Sequence, residues 1–90
     1  MQVVQTPTFI RTVKKLHKNQ KHDLDQAIRE ILADPTIGEM KKNDLAGIQV
    51  YKFKMVKQLT LLAYELYDTP PRLVLLDLGS HENFYRDLKS

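Results

Sequence analysis

Apolar residues are spaced along this chain in three different patterns. Phe9, Val13 and Leu16, with Ile10 beside them, recur at i, i+4 and i+7, the spacing of one helix face. Leu24, Ala27, Ile28, Ile31 and Leu32 repeat such a stripe, and it ends before Pro35, which cannot continue a helix. The polar run "HKNQKHD" between the stripes predicts a break, so the two helices should form a hairpin. Ahead of them "MQVVQT" is β-like. Thr6 then suits an N-cap, with Pro7 at the first helical position, where its missing N–H costs nothing.

After Pro35 the pattern changes. "DPTIGEMKKNDLAG" has the glycines and proline of a loop. "IQVYKFKMV" alternates: Gln49, Tyr51, Phe53 and Met55 point one way, Val50, Lys52, Lys54 and Val56 the other. That is a strand with one packed face and one face open to solvent or substrate. "QLTLLAYELY" is almost continuously apolar, as a central strand should be, "DTPP" is a turn, and "RLVLLDL" is a third buried strand. The short gaps predict an antiparallel meander. Ser80 is then expected to cap a last helix, with Glu82 in its first turn favoured by the helix dipole. The expected fold class is α+β: a small, antiparallel-rich sheet packed against an N-terminal helical hairpin, with a short C-terminal helix, in the order β-α-α-β-β-β-α. Residues 1–90 make a single domain.

Composition narrows the function classes. At 90 residues with 42% hydrophobic content the chain can fill one small core. It has no cysteine, so neither a disulfide framework nor a thiolate zinc site is available. No apolar run reaches the roughly 18 residues that would span a bilayer, and the N-terminus has no signal-peptide pattern, so no membrane partner and a cytoplasmic location are expected. The net charge of +3 permits a polyanionic partner without requiring one. Its distribution is more informative. Lys14, Lys15, Lys18 and Lys21 cluster early, and Lys41, Lys42, Lys52, Lys54 and Lys57 follow in the middle.

Two features carry candidate chemistry. On a helix beginning at Ser80, His81 and Tyr85 stand one turn apart on the same side, while Phe84 and Leu88 form a separate apolar stripe. A histidine in that position suits proton transfer near neutral pH. The competing reading has His81 hydrogen-bonding locally and Tyr85 packing at the sheet edge. The second feature is the pair Lys52 and Lys54, about 7 Å apart on one strand face. Two ammonium groups so close repel, and an anion bound between them would explain their coexistence; a solvated polar face is the alternative. Lys57 and Arg72 could extend this patch. Other chemistry is missing: His17 and His22 lack a third metal ligand, and the chain has no dinucleotide fingerprint, phosphate loop or hydrolase spacing. Neither a metal nor a cofactor is expected.

The element order, with "YKFK" on the second strand and "LGSHENFY" after the last, resembles the RelE/ParE superfamily of toxin–antitoxin toxins over nearly the whole chain. That resemblance implies a cytosolic bacterial toxin with a cognate antitoxin. It implies either an endoribonuclease that cuts mRNA in the ribosomal A site or, in the ParE branch, a gyrase inhibitor without an RNase site. Operator DNA would be reached only through the antitoxin. Residue by residue, Lys52 and Lys54 match the basic strand pair set against RNA phosphate. His81 matches the arginine or histidine after the last strand's glycine, and Tyr85 the aromatic residue near the scissile phosphate. Lys57 and Arg72 are assigned to RNA binding. One departure stands out: the next strand, "KQLTLLAYE", carries no arginine, so the phosphate would meet point charges and no bidentate guanidinium fork. The implied reaction is metal-free cleavage to a 2′,3′-cyclic phosphate. A gyrase inhibitor, or a toxin that retains only antitoxin binding, is the alternative.

Overall fold

The computed structural model describes residues 1–80. Strand β1 (Gln2–Gln5) leads into helix α1 (Pro7–Lys14) and then helix α2 (Lys18–Ala33). Four more strands follow: β2 (Glu39–Met40), β3 (Gln49–Met55), β4 (Gln58–Asp68) and β5 (Pro71–Ser80), with one 3₁₀ turn at Asn43–Leu45. They form one five-stranded sheet in the order β1-β5-β4-β3-β2. The expected meander β3–β4–β5 is antiparallel, and β1 joins its outer side parallel to β5. "QLTLLAYELY" lies on the central strand, which is why it carries no polar alternation.

The helices cover one sheet face. Phe9, Leu24 and Ile31 pack against Met55, Leu62, Tyr64, Leu73, Leu75 and Leu78, with Val13, Leu16, Ile28, Tyr51 and Phe53 around them. Burying each large apolar side chain contributes about 1.5–3 kcal/mol, so this layer is the main source of stability. A smaller cluster, Val50, Leu61 and Ala63 with Ile48 and Leu76, lies on the opposite face.

Thr6 shows how sequence and packing meet. Its hydroxyl accepts from Phe9 N at 3.1 Å, capping α1, and donates to Leu76 O at 2.8 Å. Leu76 is the extra residue of a bulge in β5, where Ala63 pairs with Asp77 but Tyr64 pairs with Leu75. The bulge thus turns out a carbonyl that fastens the helical layer to the sheet.

Three local expectations change. The break between the helices is shorter than the polar run, spanning only residues 15–17, because α2 already begins at Lys18. Lys18, Asn19, Lys21 and His22 are the solvent side of its first turns, so polarity there reflects exposure. The loop after α2 contributes the two-residue β2, making five strands instead of four. Ser80 is the last residue of β5, opposite Thr60, so the strand runs through Gly79. The terminal helix expected beyond it, with Glu82, Phe84 and Leu88, lies outside the described residues. Among the described residues no helix is long and apolar enough to cross a membrane.

Candidate functional site

Cross-strand register assigns each side chain to a face, because directly paired residues point the same way. Tyr51, Phe53 and Met55 join the core under the helices. Lys52 and Lys54 therefore stand on the other face, and both are exposed. Lys52 pairs with Leu61 and Lys54 with Leu59. Leu61 is fully buried and Leu59 is exposed, so the two ammonium groups rise beside an apolar strip. Leu61 pairs on its far side with Gly79, and Thr60 with Ser80. β5 therefore ends level with the lysine pair, two strands away. His81 and Tyr85, which follow, lie outside the described residues.

The two auxiliary cations are elsewhere. Lys57 sits in the β3–β4 turn, exposed, where it borders a shallow groove of about 850 Å³ with His17, Lys18, Asn19, His22, Asp23 and Val56. Arg72 shares the outer face but pairs with Tyr67, six residues along β4 from the partner of Lys52. That offset is about 20 Å at the strand rise. Its guanidinium lies 4.2 Å from the Tyr67 ring centroid, a cation–π contact at the far end of the sheet. Lys52 and Lys54 are thus brought together, Lys57 is at the margin, and Arg72 is remote. Among the described residues no group of three histidine, cysteine, aspartate or glutamate side chains could hold a metal ion, and His17 and His22 remain a pair.

Two tyrosines bound the helix side of this strand. The Tyr51 hydroxyl donates to the Glu30 carboxylate, and its ring stacks on Phe53 with centroids 6.1 Å apart. The bond to Glu30 first, then burial, pushes the Tyr51 phenol up to about 12. The Tyr64 hydroxyl is buried: it donates to Pro35 O at 2.7 Å and accepts from Gly38 N at 3.0 Å and Gln49 Nε2 at 3.3 Å. Burial raises its pKa, the Gly38 bond opposes that rise, and the charge of Asp34 adds to it. An apolar run and a lone glutamine hid this network, since its partners lie up to 29 residues apart.

A family model described as the ParE-like toxin of type II bacterial toxin–antitoxin systems matches residues 3–89. No curated protein sequence matches the chain. Among solved structures, a chain of the intact Escherichia coli RelBE toxin–antitoxin complex superposes with a TM-score of 0.71 at 20% identity, over 90% of this chain and 96% of that one. The Agrobacterium tumefaciens YoeB/ParE toxin gives 0.71 at 18% identity, over 90% and 99%. A free E. coli RelE variant with two arginines replaced by alanine gives 0.75 at 16% identity, over 98% and 90%. At these identities the likeness is one of fold.

Proposed function

This chain belongs to the ParE-like toxins of type II bacterial toxin–antitoxin systems, within the RelE/ParE superfamily, and we propose that its toxic act is metal-independent cleavage of ribosome-bound mRNA, inhibiting translation in the cytoplasm until a cognate antitoxin masks it. The observation that carries this reading is the exposed pair Lys52 and Lys54 on the sheet face turned away from the helices. Two positive charges on adjacent outward positions of one strand suit a phosphodiester in transit to a dianionic phosphorane.

In the proposed reaction the ribose 2′-oxygen attacks the adjacent phosphorus. The 2′-hydroxyl gives its proton to a base, the P–O5′ bond breaks, and the leaving 5′-oxygen takes a proton from an acid. The products are a 2′,3′-cyclic phosphate and a 5′-hydroxyl. Lys52 and Lys54 stabilise the phosphorane, and one of them is a second candidate for base. His81 is the acid or base and is bonded directly to Ser80, which closes the row beside the lysines. Tyr85 orients the substrate by stacking on a base or bonding a phosphate. Lys57 and Arg72 contribute only to longer-range attraction of RNA. Operator DNA is contacted through the antitoxin.

End-group analysis of RNA from translating ribosomes tests the chemistry. Cyclic phosphate ends should appear with the wild type and fall by about 10²–10⁴-fold with His81→Ala, while gyrase supercoiling proceeds unchanged. The ParE-like family match keeps one rival in play. Blocked supercoiling with intact mRNA would establish the gyrase-inhibiting reading in place of the ribonuclease.

A further inference from the structure

Asp23, Gln26, Ala27 and Glu30 are spaced i, i+3, i+4 and i+7, so they share one stripe of α2. That stripe is bonded to β3 at both ends. Val56 N, just past the strand, donates to Asp23 Oδ2 at 2.8 Å, and the Tyr51 hydroxyl donates to Glu30 Oε2. Between these two bonds the small, buried Ala27 leaves a notch of about 310 Å³, with Tyr51, Phe53 and Lys54 on its strand side. Sites for small ligands begin at about that volume, so there is room for one heterocycle and not for a folded segment.

Three kinds of group meet there. The Tyr51 and Phe53 rings are half-buried and nearly parallel, 10° apart, and offer aromatic surface to a flat ring. Glu30 and Asp23 each give one carboxylate oxygen to these bonds and keep the other, and the exposed Gln26 amide makes no bond among the described residues. Lys54 is the third. β2 pairs with β3 only at Gln49 and Val50, so β3 is the sheet edge at Lys54, and this residue borders both the notch and the face of the lysine pair. A guanidinium or amine would suit the carboxylates, but Lys54 repels a cation. A nucleotide suits all three groups: its base stacks, its amino group donates to a carboxylate, and its phosphate meets Lys54.

We propose that this notch is a base-reading subsite for the RNA strand whose scissile phosphate lies at Lys52 and Lys54, and that Glu30 and Asp23 admit bases with an exocyclic amino group and reject uracil. The occupant rests on the ribonuclease reading; the notch rests on shape and donor–acceptor chemistry. Carboxylates only accept hydrogen bonds. Adenine, cytosine and guanine each bring an amino donor, whereas uracil sets a carbonyl on either side of its one N–H. A strand with a phosphate at Lys54 turns the attached base over the edge of β3 into the notch. The selected base therefore stands at a constant offset from the cut.

Nucleoside 5′-monophosphates, titrated into the full-length protein with its tyrosine and phenylalanine rings followed by NMR, test the notch without cleavage. Tyr51 and Phe53 signals should shift, with AMP, CMP and GMP bound at least about fivefold more tightly than UMP. Glu30→Gln, which keeps an acceptor for the Tyr51 hydroxyl, should remove or reverse that gap, and unchanged Tyr64 signals would certify its fold. Sequencing of cut sites from translating ribosomes then tests the strand. Uracil should be depleted at least about fivefold at one fixed distance from the cut, and Glu30→Gln should restore it. Ring signals unmoved by every nucleotide, or moved equally by all four, would overturn the subsite, while cuts without base bias would leave the ribonuclease reading intact. Nucleotide binding with no cutting would remove RNA as the occupant, and the ribonuclease reading with it. Shifts produced by arginine amide and by no nucleotide would give the notch to a basic side chain and overturn the proposal.

Discussion

Individual side chains divide here into those whose role shows in the sequence and those whose role depends on distant partners. Lys52 and Lys54 are of the first kind, because alternation with Tyr51 and Phe53 is enough to set them on the face away from the core. Tyr64 is of the second kind. It stands in an apolar run, but its hydroxyl joins Pro35, Gly38 and Gln49, and so ties the segment after α2 to the central strand. Tyr64→Phe would strand those buried groups and should cost about 1–3 kcal/mol, measurable by urea unfolding. Gly38 is needed for the same contact, since a Cβ there would lie 2.5 Å from the Tyr64 oxygen. Gly38→Ala should therefore destabilise by about as much. Tyr51 adds a pH signature. Its phenol ionises at about 12 in the folded protein against 10.0 ordinarily, so the folded state holds a proton that the unfolded state releases in between. Stability should fall as pH rises through that window and be fully present below it. The fall should be shallower in Tyr51→Phe, compared by denaturant unfolding at several alkaline pH values.

Among the elements, both helices and the three long strands are legible because each has a strong period and a clear stop. Ile10 and Leu32, at the margins of their helical stripes, remain more than a third exposed, so the stripes are narrower than hydropathy alone implies. The short β2 has only two residues and no period of its own; it exists because β3 offers an edge. The β3–β4 turn was hidden for a different reason. Val56 and Lys57 both adopt positive φ, at 49° and 69°, in a two-residue hairpin that normally selects asparagine and glycine. A β-branched valine is costly there, and the Asp23 carboxylate that accepts from Val56 N helps to hold it. Lys57→Gly should raise stability in thermal or urea unfolding, because relief of the left-handed strain, about 1–2 kcal/mol, outweighs the added freedom of the unfolded chain. Asp23→Ala should lower it by about 1.5–3 kcal/mol, the range for a bond to a charged group.

At the level of the whole molecule, two helices occupy one sheet face, and the other carries the lysine pair beside a small apolar cluster. That division was foreseeable, because a sheet with one alternating and two continuous strands has only one place for a helical hairpin to bury its stripes. The size of the site was not foreseeable. On the sequence Lys57 and Arg72 could each extend the lysine patch, whereas register separates Arg72 from the lysine pair by a long run of β4. The active face should therefore be small, with Lys52 and Lys54 decisive and Arg72 dispensable for chemistry. Arg72→Ala should leave the cleavage rate within about a factor of three, since a charge about 20 Å away is largely screened at physiological salt. The most direct measurement is primer extension on mRNA incubated with translating ribosomes and either the wild-type protein or a Lys52→Ala/Lys54→Ala variant shown to be folded. Discrete cuts with the wild type, reduced by about 10²-fold or more in the variant, are predicted. Cuts of equal strength in the two proteins, or mRNA left whole by the wild type, would contradict the assignment of this face to ribonuclease chemistry.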